Sequence, residues 1–144
     1  MTDLAGNFLP GNASWSFSTA ASADSAAPSV SATVPTDGAK GVAISSTINV
    51  SFYEPMDPTT ITTANLLVTG PGSAPVVGTV VFDPTTNTAI FTRIYHTTTP
   101  VDSHPTPVSN LDPNTTYNVT LTTAVKDMAG NALAANKVWS FTTQ

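Results

Sequence analysis

From residue 28 onward, apolar and polar side chains alternate in short runs separated by turn residues every 8–12 positions, the spacing of an all-β chain. Ile48, Val50 and Phe52 alternate with Asn49, Ser51 and Tyr53, a period of two that gives a strand one apolar face. Leu66–Thr69, Val76–Phe82 and Ala89–Thr92 read as three more strands, the second kinked or bulged at Gly78. Tyr117, Val119, Leu121 and Thr123 share one face of a further strand, and Val138–Thr142 places Trp139 and Phe141 on one face of the last. Helix is nearly absent. Asp57-Pro58-Thr59-Thr60-Ile61 suits one short turn with Asp57 as its cap and Pro58 at its first position. Phe52, Phe82, Phe91, Tyr117, Leu121, Trp139 and Phe141 form the expected core, while Tyr53 points outward.

About seven short strands rich in Pro, Gly and Asn turns predict an antiparallel β-sandwich. Leu111-Asp112-Pro113-Asn114-Thr115-Thr116-Tyr117 looks like a tyrosine corner, in which the hydroxyl bonds back to the backbone a few residues upstream. The alternative is an ordinary turn before a strand with a half-buried tyrosine, and the alternation that follows favours the corner.

The chain also repeats its own tail. Residues 3–19, DLAGNFLPGNASWSFST, align with residues 127–143, DMAGNALAANKVWSFTT, at an offset of 124 with ten of seventeen positions identical. Such self-similarity marks an array of domains. The first copy lacks everything before its final turn and strand. Residues 1–19 are therefore expected to end a preceding repeat, residues 20–27 to form an Ala/Ser linker, and residues 28–144 to be one complete domain. Trp15 and Phe17 would lie on the extra strand-like segment, which could also occupy the final-strand slot of a neighbouring copy by strand addition.

The runs Val34–Val42, Ile48–Asp57 and Leu111–Tyr117, with the ending Val125–Asn131 through Trp139–Thr143, resemble the bacterial Ig-like domain of the S-layer protein type. The resemblance covers residues 28–143, and residues 3–19 match the family's last turn and strand. It implies a seven-stranded Ig-like sandwich used in tandem in secreted or surface-anchored proteins, as spacer, adhesin stalk or accessory module. It implies no catalytic residues. The segment 94–109, IYHTTTPVDSHPTPVS, is longer and richer in Pro and Thr than that pattern.

Composition narrows the function further. Of 144 residues only 9% are charged, the net charge is −5, and cysteine is absent. Four cations give no electrostatic footprint for nucleic acid, and no cysteine means no disulfide or thiolate chemistry. No apolar stretch is long enough for a membrane-spanning helix, and Met1-Thr2-Asp3 opens no signal peptide. His96, Asp102 and His104 offer transition-metal ligand types without a fourth partner, so a solvated loop is the plainer reading. Glu54 with Asp57 is a weak calcium candidate, and the Asp127–Asn131 turn a weak candidate for metal binding of unspecified kind. Asp127, Gly130 and Asn131 read first as a turn in which Gly130 takes a positive φ and the two polar side chains bond local backbone. Four Asn-x-Ser/Thr sites, at Asn12, Asn49, Asn114 and Asn118, are about as many as composition alone produces.

No cofactor motif and no Ser/His/Asp or phosphate-loop pattern is present, so no enzyme activity is expected. The expected function is a non-catalytic structural module of an extracellular or surface protein, with neighbouring copies of the domain as partners. The alternative is an accessory ligand- or carbohydrate-binding module, for which Tyr53 and Tyr95 are the only aromatic support.

Overall fold

The computed structural model describes residues 24–96, 107, 108 and 110–144, together with Ser14 and Ser16. Ten strands run through them: β1 (Val30–Val34), β2 (Ala39–Val42), β3 (Ile48–Phe52), β4 (Leu66–Thr69), β5 (Gly78–Asp83), β6 (Thr88–Arg93), β7 (Tyr95–His96), β8 (Pro107–Val108), β9 (Thr116–Leu121) and β10 (Lys137–Thr143). Eight form two facing sheets, ordered β1-β3-β6-β5 and β2-β10-β9-β4, and β7 pairs with β8 in a separate hairpin. The protein is an Ig-like β-sandwich.

The alternation in sequence locates β3, β4, β5, β6, β9 and β10 to within two residues. β1 and β2 carry no such alternation. They are two halves of one strand position that changes sheets at the cis Val34–Pro35 bond and a turn closed by Gly38 at φ +76°. β1 pairs antiparallel with β3, while β2 pairs parallel with β10. Counting the two halves once gives seven strand positions.

Each sheet turns one face inward. Ile48, Val50 and Phe52 of β3 meet Ala89 and Phe91 of β6 on one side. Tyr117, Val119 and Leu121 of β9 meet Trp139 and Phe141 of β10 on the other. Met56, Ile61, Leu111, Val125 and Leu133 close the two ends. Each fully buried Leu- or Phe-sized side chain contributes roughly 1.5–3 kcal/mol, so these rows dominate stability. Of the expected core, Phe82 is only partly buried and packs against its margin. Tyr53 is 76% exposed.

The expected kink or bulge at Gly78 is not there. Its strand pairs in unbroken register from Gly78↔Arg93 to Asp83↔Thr88. Glycine serves a close approach instead, since an added Cβ would overlap the Phe91 ring and stand 2.6 Å from the Thr92 carbonyl oxygen. The short turn at Pro58–Thr60 is a 3₁₀ turn capped by Asp57, whose carboxylate accepts from the Thr59 amide at 2.9 Å.

Gly78→Ala is expected to destabilise the domain by about 1–3 kcal/mol, because the methyl group overpacks a buried ring against fixed backbone. Val81→Ala, at a position 62% exposed on the same strand, should stay within about 0.5 kcal/mol of the parent. Urea unfolding followed by tryptophan fluorescence reads both.

Candidate functional site

At the pole where the chain enters the domain, the Asp127–Asn131 turn folds around one carboxylate. Asp127 Oδ1 accepts from the Asn131 amide at 2.8 Å and Oδ2 from Asn131 Nδ2 at 2.9 Å. The Asp127 amide donates to the Asn131 carbonyl at 3.0 Å, and Gly130 closes the turn at φ +92°. Backbone bonds stitch this turn to residues 55–57: Met128 N donates to Pro55 O at 3.1 Å, and Asp57 N to Lys126 O at 2.9 Å. Asp127 is thereby 3% exposed, one of few buried polar side chains among the described residues. Burial pushes its carboxyl up, but the bonds from the Asn131 side chain and amide outweigh that and hold it below the usual aspartate value.

Two further carboxylates converge here. Ligand oxygens of Asp24, Glu54 and Asp127 lie within 4.8 Å of one another. An all-oxygen set of this kind suits a hard cation such as calcium or magnesium. Exposed acidic groups also gather this way without a metal. Glu54 thus meets Asp24 and Asp127, and the sequence pairing of Glu54 with Asp57 does not describe the group: Asp57 turns its carboxylate to the Thr59 amide and hydroxyl. No spacing could have revealed the trio, because Asp24 and Asp127 are 103 positions apart.

At the opposite pole, Tyr117 is buried with its ring stacked on Phe141 at a centroid distance of 5.6 Å. Its hydroxyl accepts from the Asp112 amide at 2.9 Å and from Arg93 Nη1 at 3.2 Å. It donates to Asp112 Oδ2 at 3.2 Å. Arg93 Nη1 also stands 2.9 Å from Asp112 Oδ1, joining β6 to the turn before β9. The Arg93 guanidinium holds the Asp112 carboxyl below its ordinary value. A groove of about 400 Å³ opens beside this network between Gly70, Pro75, Val77 and Ile94.

Of the other sequence candidates, Trp139 and Phe141 are core residues, 2% and 1% exposed. Trp139 Nε1 has no hydrogen-bond partner among the described residues. His96 lies in β7, while Asp102, His104, Trp15 and Phe17 lie outside the described residues.

Tyr117→Phe should cost about 0.5–1.5 kcal/mol, since it removes the acceptor of the part-buried bond from the Asp112 amide and a partner of Arg93. Thermal and urea unfolding measure this. Asp57, Asp83, Asp112 and Asp127 all have carboxyls lowered by their hydrogen bonds or by Arg93. Their unfolded values are about 3.9, so the stability they contribute is complete above that and is lost as pH falls through the lower folded values. The urea midpoint should therefore be level above about pH 5 and fall toward pH 2, with a smaller fall in Asp112→Asn.

The family and the fold of the chain have counterparts among known proteins. Residues 24–143 match the bacterial Ig-like domain family. Among solved structures, domains 1–6 of the surface layer protein SbsC superpose with a TM-score of 0.54 at 20% identity, covering 83% of this chain and 14% of that one. CopC from Methylosinus trichosporium OB3b gives 0.57 at 11% identity, covering 81% and 93%. PcoC from Escherichia coli, a methionine-rich copper resistance protein, gives 0.54 at 16% identity, covering 83% and 100%. The chain thus spans about one-seventh of the surface-layer chain it resembles. No curated protein matches it. With a family match over most of its length, the chain belongs to the bacterial Ig-like domain family.

Proposed function

We propose that the chain is a non-catalytic structural module of an extracellular or cell-surface protein of a bacterium or archaeon, one unit of a tandem array. The carrying observation is the duplicated ending. In the described domain, Asp127–Asn131 and β10 are the final turn and final strand, with Trp139 and Phe141 set into the core. Residues 3–19 repeat that stretch without the rest of a domain. They are best accounted for as the end of a preceding repeat, followed by a linker over residues 20–27 and the domain over residues 28–144. The likeness to surface-layer domains supports the location.

Strand exchange is the second form of this reading. β10 is an interior strand, flanked by β2 and β9. A neighbour's Trp15 and Phe17 could enter its slot only by displacing it, which makes the exchanged form dependent on concentration and unfolding. The tandem arrangement needs no displacement and is preferred.

Other roles have less support. The copper-resistance likeness carries less weight, because PcoC is methionine-rich whereas this chain has three methionines, of which Met56 is 2% exposed in the core. A carbohydrate platform needs grouped exposed aromatics, and among the residues whose burial is described Tyr53 is the exposed aromatic.

Light scattering on the chain after size exclusion tests the two forms. A monodisperse monomer across the concentration range is expected. Concentration-dependent oligomers or filaments, abolished by Trp15→Ser with Phe17→Ser, would replace the tandem form with exchange.

A further inference from the structure

The approach to the domain is gripped by the domain itself. Asn131 Nδ2 has two hydrogens, and the structure assigns both: one to Asp127 Oδ2 at 2.9 Å, the other to the main-chain carbonyl of Asp24 at 2.8 Å. Asp24 also bends its own chain, since its Oδ1 accepts from the Ala26 amide at 3.0 Å. Two more anchors follow. Pro28 is buried, and the Ser29 carbonyl accepts from the Tyr53 amide at 3.1 Å. Residues 24–29 are therefore pinned at three successive points across the pole.

We propose that the Asp127–Asn131 turn is a clasp for the linker that leads into the domain. The chemistry suits that use. An amide holding a main-chain carbonyl requires no particular side chain at the gripped position, so the clasp accepts linkers of varied sequence. The Asp127 carboxylate accepts the other hydrogen of the same amide, a bond that the side-chain carbonyl oxygen of an asparagine at 127 can also accept. Gly130, at φ +92°, lets the chain turn back tightly enough for Asn131 to reach both partners.

The consequence for spacing rests on the tandem reading. Thr19 aligns with Thr143, the last residue of β10. Five Cα steps of about 3.8 Å separate Thr19 from the clasped Asp24, a bound of about 19 Å. With the clasp open, the first fixed point becomes Pro28, and nine such steps raise the bound to about 34 Å. The partner held near this pole is the opposite pole of a like domain, where the last strand ends.

The test uses the full 144-residue chain and backbone ¹⁵N relaxation. In the parent, the amides of Asp24, Ser25, Ala26 and Ala27 should show order parameters near 0.85, as rigid backbone does. In Asn131→Ala, and in Asn131→Asp, which keeps the size but loses the donor, they should fall below about 0.6 while the core resonances of Trp139 and Tyr117 persist. Asp127→Asn disturbs the turn but keeps the Asn131 amide, so it should lower the melting temperature and leave residues 24–27 ordered. Order retained without the Asn131 amide overturns the clasp. So does mobility in the parent, or equal loosening in Asp127→Asn. Because the measurement concerns one domain, it stands whether or not a folded repeat precedes; absence of that repeat removes only the spacing.

Discussion

One strand governs this sandwich. β10 lies inside its sheet, antiparallel to β9 and parallel to β2, and it carries Trp139 and Phe141 into the space between the sheets. The register that pairs Phe141 with Tyr117 also stacks their rings, so the tyrosine hydroxyl reaches the Asp112 amide. A slip by one residue would turn every inward side chain of β10 toward water. The corner at one pole and the clasp at the other thus depend on the same strand being in place.

Much of this was legible because each sheet has one wet face. A period of two is visible wherever one side of a strand is buried and the other is not, as in Ile48–Phe52 or Thr116–Leu121. β1 and β2 were not legible for the converse reason. They are short, lie at sheet edges, bury little, and change sheets midway, so no single face persists. Gly78 misled in another way. A strand glycine signals either a bulge or a close approach, and only the position of the Phe91 ring decides between them. The Asp127–Asn131 turn showed in the sequence through its residue types and its recurrence. Its partner Asp24 did not, since nothing local links two residues 107 positions apart. The acidic trio was hidden for the same reason.

The scarcity of charge has a structural counterpart on the outer faces. Where another sandwich would set Lys against Glu across neighbouring strands, this one pairs hydroxyls: Ser51 with Thr88 and Thr116 with Thr142, each at 2.9 Å. Such cross-strand pairs contribute a few tenths of a kcal/mol to about 1 kcal/mol each and are insensitive to salt, unlike surface ion pairs. Row by row, Val138, Thr120 and Leu67 continue the uncharged face across the second sheet. Stability of this kind varies little with ionic strength.

The parallel pairing of β2 with β10 carries a mechanical meaning. The chain enters at one pole and leaves at the other, so tension on its two ends draws β2 and β10 in opposite directions along their length. The bonds between them, Gly38 N to Ser140 O at 2.7 Å and Gln144 N to Val42 O at 2.9 Å, lie across that motion. They are sheared together and cannot open one at a time like a zip. The same tension slides β1 along β3 in the other sheet. In this geometry the β2–β10 bonds share a load along the strands, so the two strands would part as a unit.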